Sequence, residues 1–180
     1  MVNEKDFIAK LMHPETRETA FAQLVRDYQK PLYYHVRNIV LNHDDADDVI
    51  QNTFIKVFRH LPNFKGDSKL FSWIYRIATN EAIDFISAKA KRNGISNGEY
   101  LEKEIEKLPA DIYFEGDEIA LKLQKAITKL PEKQQLVFKM KYFEELKYEE
   151  MSEILGTSVG ALKASYHHAV KKIEEFLLTH

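Results

Sequence analysis

The sequence predicts an all-α protein made of two small helical domains joined by a flexible acidic linker, with a helix-turn-helix in the second domain. Apolar residues recur at spacings of three and four along most of the chain, which is the spacing of one face of an amphipathic helix. This periodicity fails in one acidic, glycine-containing stretch, as is typical of a connector. We therefore expect a first domain at residues 1–92, a linker at 93–118 and a second domain at 119–180.

Composition narrows the class of protein. With 180 residues, of which 44% are hydrophobic, the chain can bury packed cores. The absence of cysteine excludes a disulfide framework, a thiolate zinc site and a cysteine nucleophile. From the acidic start MVNEKDF we expect no signal peptide, and no apolar run in the sequence approaches the roughly 18 residues that a spanning helix needs. We expect a cytoplasmic protein that does not insert into a membrane.

Charge is nearly balanced overall but unevenly distributed. The chain has 26 Lys+Arg against 28 Asp+Glu. The net charge is +2 over residues 1–92, −6 over 93–118 and +2 over 119–180. A near-neutral total is unusual for a protein that must hold DNA unaided. The linker carboxylates are either solvated charge or an acidic strand that enters a basic channel of a partner, and the sequence leaves both interpretations open.

The first domain opens with two apolar runs, one on each side of Pro31. The first run is Phe21, Leu24, Val25 and Tyr28, and the second is Leu32, Val36, Ile39 and Val40. Both spacings predict helices that contribute to a core. A third helix follows, in which Asp44 can act as the N-cap and further aspartates occupy the first turn, near the positive end of the helix dipole.

The two faces of this third helix differ in character. Its buried stripe comprises Ala46, Val49, Ile50, Thr53, Val57 and Leu61. Its other face presents Asp48, Gln51, Asn52 and Arg59, with Phe54, Ile55 and Phe58 towards the borders. Exposed apolar groups beside polar ones are what a partner-docking surface needs.

The aspartates beside His43 raise the question of a metal site, which the spacing answers. A calcium loop counted from Asp44 needs glycine at its sixth position and glutamate at its twelfth, but Val49 and Ile55 stand there. The chain also lacks the His-Glu-x-x-His zinc motif, a nucleophile elbow and a phosphate loop. We expect no metal, no cofactor and no enzymatic activity.

A second informative stretch runs from residue 70 to residue 92. Its buried stripe is Leu70, Ile74, Ile77, Ala78, Ala82, Phe85 and Ile86. Interleaved with it are Trp73, Tyr75, Arg76 and Asn80, and it ends in Lys89, Lys91 and Arg92. Aromatic groups beside basic and amide groups suit unpaired bases, and the terminal cations suit phosphates. The alternative is that Trp73 and Tyr75 are core aromatics and the cations complement a helix C-terminus.

The last third of the chain has the pattern of a helix-turn-helix preceded by a packing helix. Pro131 starts the leading helix. The buried face predicted for that helix is Val137, Met140, Tyr142 and Phe143. A short helix containing Met151, Ile154 and Leu155 then ends at Gly156, because glycine takes the left-handed turn most easily. Ser158 can cap the helix that follows.

That final helix separates its faces by spacing. Its apolar face is Val159, Leu162, Tyr166, Ala169, Val170 and Ile173, which leaves Gly160, Ala161, Lys163, Ala164 and His167 facing outward. Small and basic residues on the outward face suit a DNA major groove. Two short helices joined through glycine also occur in all-α proteins that bind nothing in a groove, so the segment alone leaves both interpretations open.

Taken together, the segments resemble the extracytoplasmic-function (ECF) sigma factors of bacterial RNA polymerase, over about residues 20–92 and 120–178. The stretch DDADDVIQNTFIKVF resembles the polymerase-docking helix of that family. The stretch FKGDSKLFSWIYRIATNEAIDF resembles its promoter-melting and minus-ten element, and YEEMSEILGTSVGALKASYHHAVKKI resembles its minus-thirty-five reader. Three matches in family order are more specific than any one of them.

The resemblance implies core RNA polymerase, promoter DNA and an anti-sigma factor as partners. It implies polymerase binding by Asp48, Gln51, Asn52, Phe54 and Ile55. It implies minus-ten DNA binding by Lys69, Trp73, Tyr75, Arg76, Asn80, Lys89, Lys91 and Arg92. It implies minus-thirty-five DNA binding by Ser158, Gly160, Ala161, Lys163, Ala164, His167 and Lys171. A flipped base is expected near Asn80, and the acidic linker would thread towards the active-site and RNA-exit channels of the polymerase.

The final helix departs from the family pattern. Serine, histidine and valine stand where arginines are usual, at Ser165, His168 and Val170. Phosphate anchoring would therefore rest on Lys163, Lys171 and Lys172. The alternative function is a stand-alone helix-turn-helix regulator, which would need the second domain but has no use for the docking and melting segments.

Overall fold

The computed structural model describes residues 3–112, 114 and 116–180, and this described part is helical, with no strand. Positions 113 and 115 of the expected linker lie outside the described residues. The helices are α1 (Glu4–Met12), α2 (Arg17–Val40), α3 (His43–His60), α4 (Leu70–Arg92), α5 (Asn97–Lys107), α6 (Glu118–Thr128), α7 (Glu132–Tyr142), α8 (Tyr148–Leu155) and α9 (Val159–Thr179). Short 3₁₀ turns follow α3 and α5, at Leu61–Asn63 and Leu108–Ala110.

Helices α2, α3 and α4 pack against one another to form the first domain. The two apolar runs expected on either side of Pro31 belong to one continuous helix, α2. Proline removes the hydrogen bond to the carbonyl of residue 27. Both Asp27 and Pro31 are exposed, so water can satisfy that carbonyl and the helix continues.

The N-cap expected at Asp44 is wrong, because Asn42 caps α3. The Asn42 side-chain oxygen accepts a hydrogen bond from the Asp45 N–H at 3.0 Å. Leu41 precedes it in the left-handed conformation, with φ at 62°, which turns the chain sharply from α2 into α3. Asparagine and aspartate are nearly equivalent caps, so propensity alone did not separate the two positions.

Helix α7 lies between two cores and is buried on both sides. Leu136, Val137 and Met140 join the core of the first domain, while Phe138 packs in the smaller core that α6 and α9 form. The predicted burial of Tyr142 and Phe143 is wrong: these side chains are 53% and 37% exposed. They lie at and just beyond the end of α7, where their rings contact only the edge of the second core, at Phe138.

The second domain also packs directly on the first. Helix α8 lies against α4, and α7 contacts α2. Met151 and Ile154 of α8 and Leu162 of α9 belong to the same core cluster as the first domain. We call this packing of α7 and α8 on α2 and α4 the closed arrangement.

The connector differs from the flexible linker that the sequence predicted. Ser96 begins α5 with a capping box, in which its hydroxyl accepts from the Glu99 N–H at 3.2 Å and the Glu99 carboxylate accepts from the Ser96 N–H at 2.7 Å. Helix α5 packs between α4 and α6. Its buried apolar residues are Tyr100, Leu101 and Ile105, continued by Leu108. The expectation of flexibility is therefore wrong for residues 97–110.

The apolar periodicity of α5 was not recognised in the sequence because an acidic residue interrupts it. Glu104 sits in the middle of the apolar stripe and is only 4% exposed. It accepts hydrogen bonds from the Lys107 amine at 2.7 Å and from the Asn42 amide at 3.2 Å. A carboxylate can be buried when it is paired in this way, but nothing in the local sequence distinguishes it from its solvated neighbours.

Lys139 is an unusual residue of α7, because it is buried without a partner. Its side chain is 3% exposed, and within residues 3–112, 114 and 116–180 no hydrogen bond or ion pair reaches its amine. Burial lowers the pKa of Lys139 from 10.5 to about 8. The folded state therefore releases this proton more readily than the unfolded chain does.

We expect the free energy of unfolding of the variant Lys139→Met to exceed that of the wild type at pH 7 by about 1–3 kcal/mol, because an apolar side chain replaces a buried cation. In the wild type, stability should rise between pH 8 and pH 10.5, where the folded form has lost the proton that the unfolded chain still binds. Urea unfolding of both chains across this range measures the difference. The exposed Lys133→Met is the matched control and should change little.

If Lys139→Met keeps the rise in stability between these pH values, or if Lys133→Met loses it, the assignment of the rise to Lys139 is wrong.

Candidate nucleic-acid and partner interface

One face of α3 is exposed along the whole helix and combines polar with apolar groups. We call it the docking face, and it consists of Asp48, Gln51, Asn52, Ile55, Phe58 and Arg59. The spacings of three, four and seven place these side chains on one side of the helix. Ile55 is 48% and Phe58 is 42% exposed, which is high for large apolar residues.

Phe54 does not belong to this face, which corrects the sequence prediction. It is 9% exposed and packs edge-on against the ring of Phe21, with the ring centroids 6.4 Å apart. Phe58 supplies the exposed aromatic group instead, although it too contacts Phe21, at 5.0 Å. The helical periodicity places both Phe54 and Phe58 at the border of the face, and it does not determine which of the two a neighbouring helix covers.

The aromatic residues of α4 lie mostly in the core. Tyr75 is 3% exposed and lies 4.2 Å from Phe71 and 4.9 Å from His35, centroid to centroid. Burial raises the pKa of the Tyr75 phenol. Trp73 is half-buried against Phe64, at 4.9 Å. For Tyr75 the alternative of a core aromatic is therefore the one observed, and Tyr75 cannot stack on a base in this arrangement.

Most polar residues predicted to contact minus-ten DNA are at the surface. Lys69, Arg76, Asn80, Lys91 and Arg92 are exposed. Lys89 is partly exposed, lies 3.8 Å from the Asp45 carboxylate and lies over the Phe85 ring. The three cations at the end of α4 lie in its last turn, where their positive charge interacts favourably with the negative end of the helix dipole.

The helix-turn-helix geometry follows the sequence prediction closely. Gly156 ends α8 in the left-handed conformation, with φ at 65°. The Ser158 hydroxyl caps α9 by accepting from the Ala161 N–H at 3.2 Å. The apolar face packs inward, with Leu162, Ala169 and Ile173 fully or nearly fully buried.

The opposite side of α9 is open to solvent. Its exposed residues are Ser158, Gly160, Ala161, Lys163, Ala164, His167 and Lys171. The small residues at the start of the helix leave its backbone accessible, which lets a helix approach a groove closely. Lys163 adds positive charge to the first half of the helix, and Lys171 adds it to the second half. This surface can accept phosphates and base edges.

Arg76 is engaged by the second domain rather than free. Its guanidinium donates to the carbonyl of Glu153 at 2.6 Å and to the carbonyl of Ile154 at 3.3 Å, both in the last turn of α8. The Glu153 carboxylate accepts from the Lys69 N–H at 3.3 Å. A cation that satisfies the final carbonyls of a helix also complements its dipole. The first helix of the helix-turn-helix therefore contacts two residues of the predicted minus-ten surface, Lys69 and Arg76, although both remain exposed.

A buried polar network ties the two domains together beneath that contact. His35 of α2 is fully buried, and its Nδ1 lies 2.8 Å and 3.0 Å from the two carboxylate oxygens of Glu144. Its Nε2 lies 2.7 Å from the Thr79 hydroxyl, which also donates to the Tyr75 carbonyl at 2.7 Å. The His35 ring is thereby held between Glu144 on one side and Thr79 on the other. Sequence analysis missed His35 and Glu144, because partners 109 positions apart leave no local pattern.

No group of three or more His, Cys, Asp or Glu side chains in the described part of the chain could hold a metal ion. No helix there is long and apolar enough to cross a membrane.

Both domains match the models of known protein families. Residues 24–92 match the model of sigma-70 region 2, and residues 120–173 match that of sigma-70 region 4. These two domains define a sigma factor, the RNA polymerase subunit that directs transcription initiation at promoters. The chain belongs to the ECF group of RNA polymerase sigma factors, as its curated relatives show.

Those relatives span nearly the whole chain. It is 32% identical to RNA polymerase sigma-H factor of Pseudomonas aeruginosa over 168 residues, covering 88% of this chain and 86% of that protein. It is 30% identical to ECF RNA polymerase sigma factor SigW of Bacillus subtilis, covering 89% of this chain and 90% of that protein. Its relatives are transcription initiation factors rather than enzymes, and the family assignment sets aside the stand-alone regulator.

Solved structures share the fold. CnrH, solved in complex with the cytosolic domain of CnrY, matches with a TM-score of 0.70 at 20% identity, covering 98% of this chain and 97% of that one. RpoE of Bartonella quintana, solved with the anti-sigma factor NepR, matches with a TM-score of 0.61 at 21% identity, covering 87% of this chain and 96% of that one.

We expect Glu144→Ala to loosen the closed arrangement, because it leaves the His35 imidazole buried without its carboxylate. The loss of this hydrogen-bond partner should lower the free energy of unfolding by about 1–3 kcal/mol. Urea unfolding measures this change, and small-angle scattering should show a larger radius of gyration.

The neighbouring Glu145→Ala is the control, since Glu145 is exposed and makes no such contact in the described structure. Equal effects from the two variants would contradict a specific role for the pair of His35 and Glu144.

Proposed function

We propose that this ECF sigma factor docks on core RNA polymerase through the docking face of α3. The observation that carries the proposal is the exposed stripe of Ile55 and Phe58 flanked by Asp48, Gln51 and Asn52. Exposed apolar groups ringed by polar ones are typical of a protein interface, with the apolar part desolvated and the rim giving specificity. By resemblance to the family, the partner surface is the coiled coil of the clamp on the largest polymerase subunit.

The first domain is then the part that opens and reads the minus-ten element. Asn80 is exposed on α4 and Trp73 is half-buried near the loop that precedes this helix. These positions support capture of one flipped base, which reads sequence without a duplex groove. Lys91 and Arg92 are placed to contact phosphates. Tyr75 is assigned to the core rather than to the DNA.

The second domain reads the minus-thirty-five element with the exposed face of α9. The exposed Gly160, Ala161 and Ala164 support a close approach to base edges, while Lys163 and Lys171 pair with phosphates. With few cations on this helix, the DNA affinity of the isolated chain should be low. Most of the affinity then comes from the complex with polymerase.

The closed arrangement is a resting state in this proposal. Helix α8 contacts Lys69 and Arg76 of the predicted minus-ten surface, so promoter binding requires the domains to separate. Residues 1–92 and 119–180 would move as two bodies, with the connector at 93–118 as the hinge region. In this proposal an anti-sigma factor holds the closed arrangement; the structurally similar sigma factor RpoE was solved with the anti-sigma factor NepR. The chain would act in the cytoplasm, beside the polymerase, without catalytic chemistry of its own.

We expect the double variant Asp48→Lys and Ile55→Glu to weaken binding to purified core RNA polymerase by at least about tenfold, which is about 1.4 kcal/mol. Both residues are exposed, so the fold should be retained, and circular dichroism checks this. Binding is measured by titration against labelled polymerase.

The matched control is Asp84→Lys, an exposed carboxylate on α4 away from the docking face. Unchanged polymerase affinity in the double variant would show that α3 does not dock.

We expect Asn80→Ala to slow promoter opening roughly tenfold or more, since base capture must offset an unstacking cost of a few kcal/mol. Polymerase binding should stay near the wild-type level, because Asn80 lies on α4 and outside the docking face. Opening is followed by the fluorescence of a base analogue at the minus-ten element.

If Asn80→Ala instead loses polymerase binding while promoter opening by the residual complex is normal, Asn80 belongs to the polymerase interface.

A further inference from the structure

A cavity of about 430 Å³ between the two domains has no role in the proposed function. Its walls come from α2 and α4 of the first domain, from the start of α5, and from α7 and the turn before it. The apolar lining is Ile39, Ile83, Ile86, Leu101, Leu130 and Leu136. We call it the interdomain cavity. Its volume falls within the range of small-molecule sites, which are mostly apolar with a few placed polar groups.

One wall of the interdomain cavity carries the buried cation described above. Lys139 lines the cavity, is 3% exposed and has no hydrogen bond or ion pair to any described residue. A buried ammonium is costly unless an anion or several acceptors satisfy it. Its pKa is lowered to about 8, so it still carries a charge at neutral pH. The fully buried unpaired polar atoms of the described residues are Ser72 Oγ and Gln124 Oε1, so the Lys139 amine keeps some contact with solvent. The protein thus holds a positive charge, without a partner among the described residues, at a largely apolar cavity.

The start of helix α5 also lines the interdomain cavity and also favours an anion. Asn97 and Gly98, in the first turn of the eleven-residue helix α5, line the same cavity. First-turn N–H groups have no partner within their own helix, and the helix dipole is positive at that end. The first-turn N–H of Glu99 is already taken by the Ser96 hydroxyl. The Glu99 carboxylate accepts from the Ser96 N–H at 2.7 Å and offsets part of the helix dipole. The groups that favour negative charge are therefore the N–H groups of Asn97 and Gly98 and the Lys139 amine.

The charge and shape of the site define the ligand class. Glu132 is the other charged residue that lines the cavity in the described part of the chain, and it is exposed. Its carboxylate disfavours a ligand with two or more negative charges, such as a phosphate ester. Isoleucine and leucine side chains form the apolar part of the lining, and Ser96, Thr128 and Gln135 add uncharged polar groups. A monoanion with an apolar body satisfies both parts of the site.

We propose that the interdomain cavity binds a small amphiphilic carboxylate, with its carboxylate at Lys139 and the start of α5 and its hydrocarbon part against Ile83, Ile86 and Leu136. Because both domains and the connector form the walls, bound ligand favours the closed arrangement. This regulatory consequence rests on the proposed function, in which polymerase and promoter bind the open form. The binding site itself does not depend on it.

The first test measures binding to the full chain by isothermal titration calorimetry, without polymerase. Octanoate is the probe, and octanol, which has the same chain but no charge, is its matched comparison. We expect octanoate to bind at least tenfold more tightly than octanol at pH 7. The affinity for octanoate should fall above pH 8, as Lys139 loses its proton.

Two variants make this test specific. Lys139→Met should remove the preference for octanoate over octanol, while the exposed Lys133→Met should keep it. Ile83→Trp fills the cavity from the α4 wall and should abolish octanoate binding with Lys139 intact. This second variant decides the matter if Lys139→Met does not fold. No octanoate binding by the wild type, or equal binding by wild type, Lys139→Met and Ile83→Trp, would overturn the site.

A second test addresses the regulatory part alone. Saturating octanoate should weaken the binding of the wild type to core polymerase and leave that of Ile83→Trp unchanged. Octanoate binding without any change in polymerase affinity would overturn the regulatory part of the proposal. If the chain did not bind polymerase at all, the proposed function would fail, and the calorimetric result would still stand. If octanoate does not bind and an anti-sigma partner instead protects the cavity residues, a side chain of that partner occupies the cavity. This result would overturn the proposal.

Discussion

The closed arrangement depends on α7 being buried on two sides at once. Leu136, Val137 and Met140 belong to the core of the first domain, and Phe138 belongs to the core of the second. Each fully buried apolar side chain contributes about 1.5–3 kcal/mol relative to exposure, so these contacts hold the two domains together more strongly than the surface ion pairs do. The polar contacts of Arg76 and His35 then fix the orientation of α8 and α7 on the first domain.

These energies are compatible with a switch. A nanomolar complex with polymerase corresponds to about 12 kcal/mol of binding free energy. Part of that energy can offset the separation of the two domains, provided that the polymerase binds the open form more tightly. The nearly neutral charge of the chain fits this scheme, because a protein that acquires its DNA affinity from a large complex needs few cations of its own.

The sequence predicted well what depends on local spacing. The exposed and buried faces of α9, the glycine after α8 and the Ser158 cap follow from period and capping chemistry, and the structure confirms them. The features that the sequence did not predict depend mostly on contacts between distant segments. Tyr75 and Phe54 are covered by neighbouring helices, and Glu104 is buried because a distant asparagine and a nearby lysine pair with it. The bond between His35 and Glu144 and the buried amine of Lys139 arise only when the two domains meet.

The most direct test of the account follows the distance between the domains. The chain has no cysteine, so dyes can be placed specifically at Glu18→Cys on α2 and Glu175→Cys on α9, both exposed positions. Single-molecule energy transfer should show one high-efficiency population for the free chain and a lower-efficiency population once core RNA polymerase is bound. The same efficiency in the free and polymerase-bound states would contradict a closed resting form that opens for transcription.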